Sequence, residues 1–174
     1  MARAADLADL PLFKGLSSVE LEEVASYLVD RRAPAQTRLI EEGDTGGHAI
    51  YLLLAGEVDV LKRGHHSHPR VIGTLAAPSV FGEVEVLARR PAIASVVAST
   101  DCTLAVMNRG IFDELAAANR SAILKVVRNL AVTLAYRLAA TDERMAAYFG
   151  LEGRDQAERL APVTQALYTG WRSE

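Results

Sequence analysis

Two short stretches of this chain concentrate side chains that could do chemistry. One runs Phe81-Gly82-Glu83-Val84-Glu85-Val86-Leu87-Ala88-Arg89-Arg90-Pro91-Ala92-Ile93-Ala94-Ser95-Val96 and gathers a glycine, two carboxylates, an arginine pair and a proline. The other is His65-His66-Ser67-His68, with imidazoles of the kind that hold zinc or nickel. A metal site also needs converging ligands whose orientation is fixed by further hydrogen bonds, and a turn between two strands supplies little of either. No metal site is therefore expected there. Glu83, at the start of a short helical segment, at the least complements the positive end of the helix dipole. The pairs Arg89-Arg90 and Arg31-Arg32 read as solvated faces rather than a nucleic-acid patch, and Cys102 reads as a small buried strand residue. No nucleophile–base grouping, zinc-binding helix signature or glycine-rich triphosphate loop occurs, so no enzymatic role is expected.

Three compositional zones must position these residues. The first, up to about Leu28, is helical. Ser17-Ser18-Val19-Glu20 forms a capping box, and Leu21, Val24, Ala25 and Leu28 then make one apolar stripe. The preceding Leu10–Leu16 is a turn or short helix that ends at Gly15. From about Val29 to Met107 the texture is β. Short apolar segments at Arg38–Ile40, Ala49–Leu54, Val58–Leu61, Val71–Leu75, Ile93–Ala98 and Cys102–Met107 alternate with turn signals, among them Glu42-Gly43-Asp44, Gly46-Gly47, Ala55-Gly56-Glu57 and Pro78-Ser79. That spacing indicates a β-sandwich or barrel. A helix fits after Phe81-Gly82, running to about Ala88 and stopped by Pro91.

The last zone is helical again: Ile111–Ala118, then a long helix over about 120–148. Ile123, Val127, Leu130, Leu134, Leu138, Thr141, Met145 and Tyr148 line that helix at mostly alternating spacings of three and four, a coiled-coil-like seam. The seam asks for a partner, and a homodimer through this helix is the expectation; the alternative is that the stripe folds back on its own barrel. Residues 1–148 then form one domain, with 149–174 as a short C-terminal extension whose Tyr168 and Trp171 offer an aromatic lid.

The bulk numbers agree with one compact domain. Of 174 residues, 50% are hydrophobic and only 6% aromatic, so the core must be built from Val, Leu, Ile and Ala. A net charge of −3 argues against a nucleic-acid-binding surface. No apolar run approaches the ~20 residues needed to span a bilayer, and the N-terminus lacks a signal-peptide core. A cytoplasmic protein without a membrane partner is expected.

The order of these elements resembles the cyclic-nucleotide-binding domain family over about residues 10–148. Three motifs carry the resemblance. Phe13-Lys14-Gly15-Leu16-Ser17 with Glu20-Leu21 is similar to the first helix of bacterial members. Glu42-Gly43-Asp44 and Ala49–Val60 are similar to the family's Gly-Asp turn and its Tyr-x-(apolar)-x-x-Gly-x-Val strand pair, with Gly43 and Gly56 at turns that need positive φ. The third is the stretch beginning at Phe81, which resembles the phosphate-binding cassette: Phe-Gly-Glu-(apolar)-Ala-(apolar), a variable turn, then Arg-x-Ala-(Ser/Thr)-(apolar). The implied fold is α+β: an antiparallel β-roll of jelly-roll type with an N-terminal helical segment, a cassette helix and C-terminal helices.

The resemblance also implies a site. The amides of Gly82, Glu83, Val84 and Glu85, after Phe81, would face a ligand phosphate, and Glu83 would accept a hydrogen bond from the ribose 2′-hydroxyl. Ala92 stands where the family has the arginine that pairs with the phosphate. Loss of one partner of a buried charged pair costs about 2–5 kcal/mol, roughly thirtyfold to several thousandfold in affinity. Ile93 follows it with a side chain that offers no donor, and Glu85 replaces an alanine beside the phosphate, where its charge would repel. Arg89 and Arg90, in the variable turn, are the available rescue. Thr141 and Asp142, after Arg137-Leu138, fall about one helical turn from where activator-type members contact the purine.

The expected function is thus a non-enzymatic regulatory or sensor module, with binding of cAMP or cGMP weak or lost and a small-molecule ligand or protein partner in its place. Alternatives are a working cAMP or cGMP sensor that uses Arg89 or Arg90, a truncated transcription factor of the catabolite-activator type, and a module that regulates an enzyme or channel in trans. The stretch after Gly150 is too short for a helix-turn-helix domain.

Overall fold

The computed structural model describes residues 7, 8, 10–64 and 67–148. His65, His66 and the expected C-terminal extension with Tyr168 and Trp171 lie outside the described residues. The chain divides into two compact units, residues 1–131 and 132–174.

In the first unit two four-stranded antiparallel sheets make the β-roll. One has the order β1 (Val29–Ala33), β8 (Cys102–Asn108), β3 (Ala49–Ala55), β6 (Ser79–Phe81). The other has the order β2 (Arg38–Ile40), β7 (Ser95–Ala98), β4 (Glu57–Gly64), β5 (Ser67–Ala76). Strand side chains alternate between faces, and β3 shows why it is apolar along nearly its whole length. Ala49, Tyr51 and Leu53 join Leu39, Val58, Val96 and Leu104 inside the roll, whereas Ile50 and Leu52 face a second core made with the helices. A strand buried on both faces reads as a continuous apolar run.

That second core joins the outer face of the first sheet to a 3-10 turn (Pro11–Phe13), α1 (Ser18–Ser26), α3 (Arg109–Ala117) and the first part of α4 (Ser121–Tyr148). Ala122, Ile123, Val126 and Leu130 of α4 are buried in it. The leading half of the sequence-read seam therefore packs on the chain's own roll. The described part of the second unit is the continuation of α4, which leaves Val132, Tyr136, Leu138 and Met145 exposed. Among the described residues no helix is long and apolar enough to cross a membrane.

Several boundaries differ from the expectation. β1 was not separately legible, because four of its five residues are exposed; its register with β8, Val29 opposite Val106 through Ala33 opposite Cys102, places it. Ser79, read as a turn residue, instead begins β6, which pairs Tyr51 with Phe81. The strand expected from Ile93 starts at Ser95, because the backbone of Ala92 bonds to the β2–β3 loop and the Ile93 N–H to the Glu85 side chain instead of to a neighbouring strand. The cassette helix α2 (Glu83–Ala88) ends at Arg89, which adopts a left-handed conformation (φ 51°), before Pro91 is reached. Gly43 and Gly56 do take positive φ, at 87° and 91°.

The capping box forms as read: Ser17 N–H donates to Glu20 Oε2 at 2.8 Å and Glu20 N–H to Ser17 Oγ at 3.3 Å. Glu20 also accepts from Ser121 Oγ at 2.8 Å and Lys125 Nζ at 2.7 Å, so a single carboxylate ties α1 to the start of α4. Asn129 adds two bonds to the carbonyls of Leu12 and Lys14, at 2.8 and 2.9 Å. The bond from Lys125, followed by those from Ser17 N–H and Ser121, pulls the Glu20 carboxyl from 4.5 to about 2. A lowered folded-state pKa contributes stability that is fully present above the ordinary carboxyl range and is lost as pH falls through the folded value. The melting temperature of the native chain should therefore fall between pH 4.5 and about 2. In Glu20→Gln it should start lower and decline less over that window, as thermal melts followed by circular dichroism will show.

Candidate ligand-binding site

The site begins where β6 hands the chain to α2. Tyr51 and Phe81 stack with ring centroids 4.9 Å apart and planes within 2°, which fixes the end of β6 against β3. Gly82 follows at φ 78°, and a Cβ there would lie 2.3 Å from the Ala49 carbonyl oxygen and 3.0 Å from Tyr51. Only glycine lets the backbone pass this close at that φ. The chain then enters α2 with both carboxylates turned inward: Glu83 is 2% exposed and Glu85 5%.

A buried carboxylate requires hydrogen-bond donors. Glu85 Oε1 finds one in the backbone N–H of Ile93, at 3.0 Å, across the turn that follows α2. The neighbouring backbone groups are also taken. Ala92, itself buried, donates its N–H to Asp44 O and accepts from Gly43 N–H on its carbonyl, both at 2.8 Å. Glu42 N–H donates to the buried Ser95 Oγ at 3.0 Å. The Gly-Asp turn between β2 and β3 is thereby stitched to the segment around the arginine position.

Lys62 of β4 closes the arrangement. Its Nζ donates to the Ile93 carbonyl and pairs with Glu42 Oε1 at 2.8 Å, while Arg63 N–H donates to Glu42 Oε2 at 2.8 Å. The Lys62 hydrogen bond, then that from the Arg63 amide, holds the Glu42 carboxyl below the usual range. Arg63 and Arg38 share Glu41, at 2.9 and 3.1 Å. A small cleft lies among Ile40, Asp44, His48, Gly82 and Glu85.

The structure thus gathers Phe81, Gly82, Glu83, Glu85, Ala92 and Ile93 around one turn, with Val84 on the same helix. It directs Arg89 elsewhere: its guanidinium pairs with Asp113 of α3 at 3.1 Å. Arg90 is exposed. On α4, in the second unit, the Thr141 hydroxyl donates to Arg137 O of its own helix at 2.8 Å, and Asp142 is exposed. Cys102 is buried as expected, its thiol near the Glu57 and Thr100 carbonyls. Among the described residues no group of three or more potential ligands is placed to hold a metal. The reading from sequence missed Glu42, Asp44 and Lys62. Lys62 did leave a trace: it follows Val58 and Val60 at strand period, a cation where the alternation calls for another apolar side chain.

Comparison with known proteins agrees with this architecture. The cAMP-dependent protein kinase regulatory subunit of Neurospora crassa is 33% identical over 109 residues, which make up 63% of this chain and 27% of that protein. The chain thus spans only about a quarter of that relative's length. A crystal structure of a cyclic nucleotide-binding domain from Methylobacillus flagellatus superposes with a TM-score of 0.76 at 27% identity, covering 83% of each chain. The regulatory subunit of a cAMP-independent protein kinase A from Trypanosoma brucei superposes with a TM-score of 0.64 at 26% identity, over 74% of this chain and 44% of that one. That structure is a triple mutant bound to cAMP in the A site, with a glutamate replaced by alanine, a threonine seven residues later by arginine, and the valine after it by alanine. The family model for the cyclic nucleotide-binding domain matches residues 30–119, more than half of the sequence, and the chain belongs to that family.

Proposed function

We propose that this chain is a non-enzymatic regulatory domain whose cyclic-nucleotide site no longer takes cAMP or cGMP, and that its output is exerted through another ligand or a protein partner. One observation carries the reading: the Ile93 amide, next to the position where the family keeps its arginine, is already bonded to the buried Glu85 carboxylate. A phosphate arriving there would meet a negative charge, an occupied donor and the methyl of Ala92. Arg89, engaged with Asp113, does not supply the missing cation.

The Trypanosoma brucei mutant supports the same reading. Its three replaced positions have the spacing of Glu85, Ala92 and Ile93 here, with a glutamate, then a residue other than arginine seven places on, then a β-branched residue. The replacements found with cAMP bound are, in this chain, E85A, A92R and I93A. The regulatory subunit from Neurospora crassa adds the functional class, a module that controls something else.

The seam on the second half of α4 points to a second copy of the chain as partner. Leu138 and Met145 lie seven residues apart and are 57% and 41% exposed, with Thr141 at the intervening heptad position and Leu134 at the one before Leu138.

Calorimetric titration of the native chain with cAMP and cGMP should show no binding in the micromolar range, and E85A/A92R/I93A should bind cAMP there. Micromolar binding by the native chain, or silence from a folded triple variant, would overturn the proposal. For the partner, sedimentation should show a native dimer at micromolar concentration and a Leu138→Asp monomer that is still folded by circular dichroism and melts at a lower temperature. A native monomer would rule the helix seam out as an interface.

A further inference from the structure

We propose that Lys62 is the cation that an anionic ligand meets in this domain, and that the chain's own Glu42 and Glu85 fill the anion site in the ligand's place. The inference rests on the reading above and names what that site would accept: a phosphate group, free or as part of a cyclic nucleotide.

Ile93 lies at the centre of the arrangement. Its N–H donates to Glu85 Oε1 at 3.0 Å, and its carbonyl accepts from Lys62, whose ammonium also pairs with Glu42 Oε1 at 2.8 Å. The amide donor belongs to Ile93, and the ammonium donor is bonded to the carbonyl of that same residue. A backbone N–H beside an ammonium is the donor set that oxyanions bind. Here each donor has a carboxylate oxygen on it at ordinary hydrogen-bond distance, one from α2 and one from the β2–β3 loop. Each carboxylate holds a donor that an anionic ligand oxygen would need.

Of the other cations in this region, Arg90 is exposed. Arg89 pairs with Asp113, and Arg63 and Arg38 share Glu41. Among the described residues, the cation bonded to the 92–93 turn is Lys62. Charge arithmetic then explains the sign of the site. Glu42, Glu85 and Lys62 together carry one net negative charge, which repels an anion. With both carboxylates neutralised or removed, the Lys62 ammonium loses its carboxylate partner Glu42 and is left to an anion. The side chain that is absent at Ala92 is therefore only part of what keeps an anion out.

The test uses two independent series read by calorimetry, with inorganic phosphate and cAMP as probes. In the native background, E42Q/E85A should bind cAMP and phosphate where the native chain does not, and E42Q/E85A/K62M should lose that binding. In the E85A/A92R/I93A background, adding E42Q should tighten cAMP by about tenfold and adding K62M should weaken it by about tenfold. Binding by E42Q/E85A that survives K62M, or no binding by that variant when its melt shows it folded, overturns the inference. If E42Q/E85A does not fold, the second series decides: unchanged cAMP affinity on adding E42Q and K62M overturns it. If E85A/A92R/I93A itself fails to bind cAMP, the preceding proposal fails and the phosphate series still decides the role of Lys62. Phosphate binding without cAMP binding supports Lys62 as the cation and assigns the site to a smaller anion.

Discussion

Burying Glu85 forces a choice on the surrounding chain, because an ionised carboxylate sealed from water is tolerated only with donors on it. The Ile93 amide meets that demand, and to do so the segment after α2 must turn back toward the helix. The turn brings Ala92 onto the Gly-Asp loop, where its two backbone groups bond to Asp44 and Gly43. It also delays β7 until Ser95, whose hydroxyl receives the Glu42 amide. Lys62 then reaches over from β4 to the same residue. The geometry of the cassette follows from one carboxylate finding its partner.

The roll makes this possible by holding both sides still. β3 is buried on both faces, so it cannot shift without disturbing the interior of the roll and the helical core together. Its Tyr51 stacks on Phe81, and its Ala49 carbonyl lies so near Gly82 that no side chain fits between them. α2 thus starts from a fixed point. A site anchored this firmly can change its side chains without changing its fold.

Local patterns were the most legible in the sequence. The Ser17–Glu20 capping box depends on residues three apart and formed as read, as did the positive φ at Gly43 and Gly56. The cassette stretch identified the fold and the unusual residues at 85, 92 and 93. Long-range partners were not legible. That Glu85 bonds the Ile93 backbone depends on a turn conformation no side-chain pattern encodes, and Lys62 with Glu42 joins a strand to a loop twenty residues away. The α4 seam shows a further limit: an apolar stripe looks the same whether it meets its own domain or a second copy. Ile123, Val127 and Leu130 met their own domain.

Hydrogen exchange of the Ile93 amide, followed by NMR in the native chain and in Glu85→Ala, tests the central claim most directly. A self-filled site predicts that this amide is protected in the native chain, is indifferent to added cAMP, and becomes exchangeable when the carboxylate is removed. Exchange at the rate of an open loop in the native chain, or protection that Glu85→Ala leaves intact, would contradict it.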